Sequence, residues 1–213
     1  MSRRMLIAMT VVGVAAIVVA QETHDLKLRG DRFAPLTWET LNGDQRTMVA
    51  DLLAGSRTSL NGPFNVLLRS PIMGNHAQKL GDYLRFHTAV PAKLNEMAII
   101  MTARAWSTQY EFVGHRTLAL NAGLDPAVVD DIQAGRRPSK MQEDETVVYD
   151  FCTELRERKR VSDATFGRAK ALLGERGVVD LIGVMGYYDL VAMALNVDRY
   201  PLPAGTPAPF TDQ

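Results

Sequence analysis

The chain has a single cysteine among its 213 residues, and this scarcity excludes several kinds of chemistry. One cysteine forms no internal disulfide and no Cys-x-x-Cys redox pair, and it supplies no cysteine-rich zinc site. The sequence also lacks an H-E-x-x-H zinc motif. These absences argue against a metal site of either kind.

The chain also lacks a net charge, since 24 basic side chains balance 24 acidic ones. This balance argues against a nucleic-acid binder that works through a basic face. Hydrophobic residues make up 46% of the chain, which excludes a disordered protein. The length suits one ordinary domain with a sizeable core.

The first twenty residues have the three-part pattern of a secretory signal. Arg3 and Arg4 precede an apolar run from Met5 to Ala20, and Val18 and Ala20 occupy the −3 and −1 positions of a cleavage site. The run is shorter than the roughly 20 residues of a spanning helix. We predict a cleaved signal peptide over residues 1–20, a periplasmic or secreted protein, and no stable membrane span after processing. An uncleaved N-terminal membrane anchor is the alternative.

The remaining chain has helical spacing and no useful run that alternates with period two. We therefore predict an all-α fold, a helical bundle. An arm and a first helix occupy residues 21–60, the main domain residues 61–203, and a tail residues 204–213. Residues 21–42 are predicted to lie on the surface. The predicted helices number roughly eight by this pattern, over residues 44–53, 71–87, 91–105, 108–123, 126–135, 143–160, 163–174 and 178–195.

Two of these helices, residues 94–105 and 178–195, are apolar on nearly every side. Such helices are buried in a core or between subunits. Gly183 and Gly186 either allow another helix to approach closely or only relieve crowding. The sequence does not distinguish between these two roles. Asp180 and Asp189 argue against a membrane span, because a carboxylate in the bilayer core is costly.

The candidate site begins with Glu96, which shares a helix face with Ile99, Ile100 and Ala103. A charge buried there must be paired or protonated. Arg104 lies two turns further on, on broadly the same side, and Trp106 ends the helix.

Glu111 and His115 are spaced i, i+4 on the next helix, so their side chains are neighbours. A carboxylate beside an imidazole fixes its tautomer, which makes a general acid or base. Tyr110 adds a hydroxyl nearby. The alternative is a capping box, in which Glu111 only satisfies the backbone at Thr108. A metal site built from these groups and Glu96 is a weaker possibility, and Cys152 is interpreted as an inert core thiol.

Four motifs follow one another along the central part of the chain. They are Glu96-Met-Ala-Ile-Ile, Ala103-Arg-Ala-Trp, Gln109-Tyr-Glu-Phe-Val-Gly-His115 and Ala122-Gly-Leu-Asp. In this order and spacing they resemble the carboxymuconolactone decarboxylase family, which includes the AhpD-like alkylhydroperoxidases. The resemblance covers about residues 63–203. It implies an all-helical, AhpD-like bundle that assembles as a homo-trimer or hexamer, with a pocket where subunits or halves meet.

The chain departs from the AhpD-like branch, in which a glutamate, a Cys-x-x-Cys pair and a histidine form a proton relay. Glu96 and His115 match the glutamate and the histidine, but the cysteine positions fall on Thr108 and Glu111. Peroxide reduction by that route needs a thiolate and a resolving thiol. A thiol peroxidase is therefore disfavoured, although peroxidase activity by an unusual route stays an alternative.

The decarboxylase branch lacks these cysteines, and the resemblance to it implies a cofactor-independent lyase acting on a small carboxylated lactone or a related organic acid. The implied catalytic residues are His115 as the acid, Glu111 orienting it, and Glu96 as a second acid or base. Arg104, Trp106 and Tyr110 are the implied substrate-binding residues. The pathway of the decarboxylase is cytoplasmic, so an exported relative is expected to take a different substrate.

A non-catalytic member that binds an organic ligand in the periplasm is the second hypothesis. Convergence of Glu96, Arg104, Glu111 and His115 on one closed pocket favours the enzyme. A capping Glu111 and a solvent-facing His115 favour binding or a purely structural role.

Overall fold

The computed structural model describes residues 25–211, and within that range the chain is all-helical with no β-strand. The all-α prediction is therefore confirmed. The predicted signal peptide lies outside the described residues. In the described part of the chain, a 3-10 turn at Trp38–Thr40 precedes eight helices, which are α1 (Gly43–Ala54), α2 (Phe64–Leu67), α3 (Pro71–Phe86), α4 (Ala92–Ala105), α5 (Gln109–Asn121), α6 (Pro126–Gln133), α7 (Glu143–Arg158) and α8 (Asp163–Asp198).

Capping residues set several helix starts close to the predicted positions. The Asp125 carboxylate accepts the Ala127 amide at 2.7 Å, ahead of Pro126 at the first helical position. Helix α1 begins from Asn42 and not from Asp44, because Asn42 and Gln45 form a reciprocal capping box.

One element was not predicted. The short helix α2 lies between two predicted helices, in a stretch where four residues give no measurable helical period. The last two predicted helices are the two segments of α8, which are separated by a kink at Gly174 as predicted. There the backbone takes φ 68° and ψ 173°, values that suit glycine.

Helix α4 lies at the centre of the fold and contacts α5, α6, α7 and α8. The side chains of Met97, Ala98, Ile99 and Ile100 are fully buried. The prediction that this helix is buried is confirmed, because every side of it meets another helix.

The apolar part of α8 is buried on one side only. Tyr188 and Leu195 face the core, whereas Val179 is 65% exposed. Ile182, Met193 and Val197 are exposed on the same outward face, at helical spacing from Val179. The prediction of burial therefore holds within this chain for the inner face alone.

The two glycines of α8 have different surroundings. A Cβ on Gly183 would lie 3.0 Å from a methyl carbon of Leu84, so this glycine admits α3 closely. A Cβ on Gly186 would meet no atom within 4 Å in the described part of the chain. Close helix packing thus explains Gly183 and leaves Gly186 on the outward face.

Helix α8 is the one helix in residues 25–211 that is long and apolar enough to cross a membrane. Of its most apolar stretch, 56% is buried inside the protein. Asp180 accepts the Ala89 amide at 2.7 Å, and Asp189 binds Arg156 at 3.0 Å. These contacts fit a core helix whose carboxylates hold neighbouring elements in place.

The N-terminal arm is more deeply buried than predicted. Leu26, Leu28 and Leu41 are buried in a cluster with α1 and α2. The Asp198 carboxylate accepts the Phe33 amide at 2.8 Å. The arm is therefore part of the core, because its leucines cover the outer side of the first helices.

Gly81 on α3 gives the tightest helix approach next to the candidate site. A Cβ there would overlap the phenol of Tyr187, which is itself buried. We expect Gly81→Ala to lower the free energy of unfolding by about 1–3 kcal/mol through overpacking. Gly167→Ala is the matched control, since a Cβ at that helical position meets nothing within 4 Å. Thermal denaturation of both variants checks this, and equal melting temperatures would contradict the described packing.

Candidate functional site

A cavity of about 500 Å³ lies between the loop after α1, the end of α3, helix α5 and helix α8. Its wall combines titratable groups with aromatic rings. The residues that matter for chemistry are His115, Glu111, Tyr110, Arg57, Arg85, Tyr187 and Tyr188, and the apolar wall includes Phe64, Phe86, Leu118, Val191 and Leu195.

His115 forms a short contact with Glu96 from the neighbouring helix. Its Nδ1 lies 2.6 Å from Glu96 Oε2, and both residues are buried. A hydrogen bond to a carboxylate is stronger than a neutral one and fixes the orientation of the ring. Since Nδ1 is engaged with Glu96, Nε2 is the ring nitrogen left for another partner, and His115 lines the cavity. The Tyr188 ring packs edge-on against the imidazole at 5.0 Å.

This pairing corrects the prediction that Glu111 orients His115. The i, i+4 spacing places the two residues side by side on α5, but neither Glu111 oxygen has a hydrogen-bond partner in residues 25–211. The packing of α4 against α5 brings Glu96 to the imidazole instead. Such a contact between helices is invisible to spacing within one helix.

Glu111 is 3% exposed and lines the cavity. Burial raises the pKa of its carboxyl well above the usual range, and repulsion from Asp189 adds to the effect. The capping-box alternative is wrong, because no side-chain cap bond forms at Thr108. Glu111 is therefore an acid whose environment favours the neutral form, placed where it can donate a proton to a ligand.

Arg104 and Trp106 lie outside this cavity. The Arg104 guanidinium sits 4.9 Å from the centre of the Phe210 ring and borders a different depression beside α6. Trp106 donates its indole N–H to Asp189 Oδ1 at 2.6 Å.

This corrects the prediction that these two residues bind the ligand of His115. Eight residues separate Glu96 from Arg104, which turns Arg104 by about 80° and moves it about 12 Å along an ideal helix. Tyr110 does line the cavity, as predicted for a ligand contact.

Two arginines in the cavity wall were missed by sequence reasoning. Arg57 lies in the loop after α1, with its guanidinium 5.2 Å from the centre of the Phe64 ring. Arg85 lies in the last turn of α3, 5.2 Å from the centre of the Phe86 ring. An arginine in a loop and another at a helix end carry no distinctive sequence signal, because such positions are usually solvated.

Two adjacent tyrosines of α8, Tyr187 and Tyr188, complete the polar wall. Burial raises the pKa of both hydroxyls, and the positive charges of Arg57 and Arg85 oppose that rise for Tyr187. The two phenols are therefore neutral hydrogen-bonding groups at ordinary pH. Near the opposite wall, Tyr110 packs edge-on against Tyr200 with ring centres 4.5 Å apart.

The described residues offer no metal-binding cluster. Residues 25–211 contain no group of three or more His, Cys, Asp or Glu side chains arranged to hold a metal ion. Glu96 and His115 engage each other at 2.6 Å, and Glu111 makes no hydrogen bond to either.

Cys152 lies on α7 away from the cavity and packs in the main core. Burial raises the pKa of its thiol to about 12. Because the thiolate is the reactive form, we expect Cys152 to react with a thiol-specific disulfide reagent only after unfolding. Absorbance of the released thiol, with and without denaturant, measures this. Rapid reaction of the native protein would contradict the buried position.

The comparisons with known proteins leave the family open. No protein-family model matches the chain, and no curated protein matches it significantly. The resemblance to the carboxymuconolactone decarboxylase family therefore stays a prediction that rests on the motifs quoted above.

Proposed function

We propose that this protein is a cofactor-independent acid/base enzyme for a small organic acid, a lyase like carboxymuconolactone decarboxylase. One observation carries the proposal. His115 is held by Glu96 at 2.6 Å and faces a cavity that also contains the unpaired, buried carboxyl of Glu111. A positioned imidazole and a neutral carboxylic acid in one cavity are the parts that proton transfer needs.

The proposed reaction removes a carboxylate from an unsaturated lactone. The carbon–carbon bond breaks, carbon dioxide leaves without the electron pair, and the pair passes into the conjugated carbonyl as an enolate. His115 then donates a proton to carbon and recovers one from water. Glu111 donates a hydrogen bond to the enolate oxygen, where negative charge develops.

The substrate of this exported protein is proposed to differ from that of the cytoplasmic decarboxylase. The apolar wall of the cavity, formed by Phe64, Phe86 and Leu118, suits a planar, partly apolar ring. Carboxylated lactones and related ring acids are therefore the first class of compounds to offer it.

A thiol peroxidase is disfavoured on two grounds. Thr108 and Glu111 occupy the positions of the redox cysteines in the resembled branch. Cys152 is buried in the core, and its raised pKa keeps the thiol protonated.

The export of the chain and its assembly as a homo-oligomer are also proposals. The outward face of α8 supports assembly, because Val179, Ile182, Met193 and Val197 are exposed there. An apolar helix face of this kind is typical of a surface that a second copy covers.

The test is a screen of unsaturated lactones that carry a ¹³C-labelled carboxylate, with release of labelled carbon dioxide followed by mass spectrometry. We expect the purified protein to release it from at least one lactone faster than buffer does. Binding of a lactone without any release would favour the non-catalytic, ligand-binding alternative.

A further inference from the structure

The cavity holds two guanidinium groups that lack an acidic partner. In the described part of the chain, neither Arg57 nor Arg85 forms a salt bridge, whereas Arg116, Arg137, Arg156 and Arg168 all do. Asp82, the carboxylate closest in sequence to Arg85, accepts the Ser56 amide at 3.0 Å and lies 3.5 Å from His87. It is therefore engaged elsewhere.

The other titratable groups of the cavity do not offset these two charges. Glu111 is held toward its neutral form by burial. Tyr187 and Tyr188 are neutral phenols, and the Glu96 carboxylate is engaged with His115 at 2.6 Å. The described residues therefore leave the positive charges of Arg57 and Arg85 without a carboxylate partner, inside a chain whose formal net charge is zero.

Aromatic rings hold the two guanidinium groups at one end of the site. Arg57 lies 5.2 Å from the Phe64 ring centre and 6.0 Å from that of Phe86, and Arg85 lies 5.2 Å from the latter. The Nε atom of Arg57 is buried and has no hydrogen-bond partner in residues 25–211. A buried donor without a partner is costly, so a ligand atom that accepts its hydrogen bond is favoured.

We propose that Arg57 and Arg85 together hold a carboxylate of the ligand and determine the specificity of the site for anions. The proposal rests on the proposed function only in taking this cavity as the ligand site. A planar carboxylate accepts paired hydrogen bonds from guanidinium groups, and a low-dielectric wall strengthens them.

The test uses two pairs of probes that differ mainly in charge. Coumalate, an unsaturated six-membered lactone with a carboxylate, is paired with its methyl ester, and benzoate is paired with benzamide. Titration calorimetry gives each dissociation constant for the purified protein. We expect each carboxylate to bind roughly tenfold or more tightly than its neutral partner.

The variants Arg57→Gln and Arg85→Gln should each weaken carboxylate binding roughly tenfold or more and leave the neutral probes unchanged. Arg57→Lys and Arg85→Lys keep the charge and should recover part of the loss. Arg116→Gln is the matched control, because its surface salt bridge with Asp130 lies outside the cavity lining. Circular dichroism and melting temperatures show that the variants are folded.

Three results would overturn the proposal. They are equal affinity for charged and neutral probes, unchanged carboxylate affinity in both glutamine variants, and no binding of either carboxylate to the wild-type protein. Repeating the titrations with His115→Gln separates the two proposals, because binding there needs no turnover. If carboxylates bind through the two arginines but no lactone in the screen releases carbon dioxide, the proposed lyase is contradicted and the carboxylate site is not. Release of carbon dioxide at the wild-type rate by both glutamine variants contradicts the proposal that Arg57 and Arg85 hold the carboxylate, and it leaves the proposed lyase intact.

Discussion

His115→Gln is expected to lower kcat about 10²–10⁴-fold on any substrate that the protein turns over, with KM nearly unchanged. Glutamine keeps a polar side chain of similar reach but cannot hold and release a proton. The loss falls on kcat because the imidazole acts on the reacting carbon, whereas the rest of the cavity wall still binds the ring.

Glu96→Gln should lower kcat by a smaller factor, because the amide can still accept a hydrogen bond from Nδ1 but no longer supports an imidazolium. The double variant should be little worse than His115→Gln alone, since residues that act as a unit are not additive. His76→Gln, an exposed histidine on α3, is the control and should keep full activity. Full activity in a folded His115→Gln protein would show that His115 is not the acid.

Glu111 should make the stability of the protein fall as the pH rises. Burial raises the pKa of its carboxyl above the ordinary value of 4.5 that it has in the unfolded chain. The folded state then binds a proton more tightly than the unfolded state. The stabilisation is full below the unfolded pKa and is lost as the pH rises through the folded pKa. Each pKa unit of difference is worth about 1.4 kcal/mol.

Glu111→Gln removes this titration while keeping the shape of a protonated carboxyl. Urea unfolding between about pH 5 and pH 9 should therefore show the wild-type protein losing stability relative to Glu111→Gln as the pH rises. Glu157→Gln, at an exposed position on α7, is the control and should run parallel to the wild type. Parallel curves for wild type and Glu111→Gln would mean that Glu111 ionises normally in the folded protein.

Most of the fold could be predicted because its signals are local. The proline at the start of α3, the Asp125–Pro126 pair and the serine before α8 act through their own backbone neighbourhood, and each helix begins where they stand. Gly174 was predicted as a helix end, and it is where α8 loses helical geometry. The arm was not predictable in this way, because the burial of its leucines depends on α1 and α2.

The candidate site could be predicted only in part. Glu96, Glu111 and His115 combine unusual residue types with an apolar setting, so the sequence picks them out. Which carboxylate meets the imidazole depends on how α4 packs against α5, and that geometry is set by the whole core. Arg57 and Arg85 reach the cavity from a loop and a helix end, where local patterns carry no information about tertiary position.

We propose that His115, held by Glu96, delivers a proton to carbon after carbon dioxide leaves. The most direct measurement is to run the reaction in D₂O and to determine by NMR the position and the face of deuterium in the product. We expect one deuterium at the carbon that carried the carboxylate, on one face only, because the acid is fixed on one side of the cavity. Equal labelling of both faces would contradict it, since it would mean that the carbanion is protonated by free solvent.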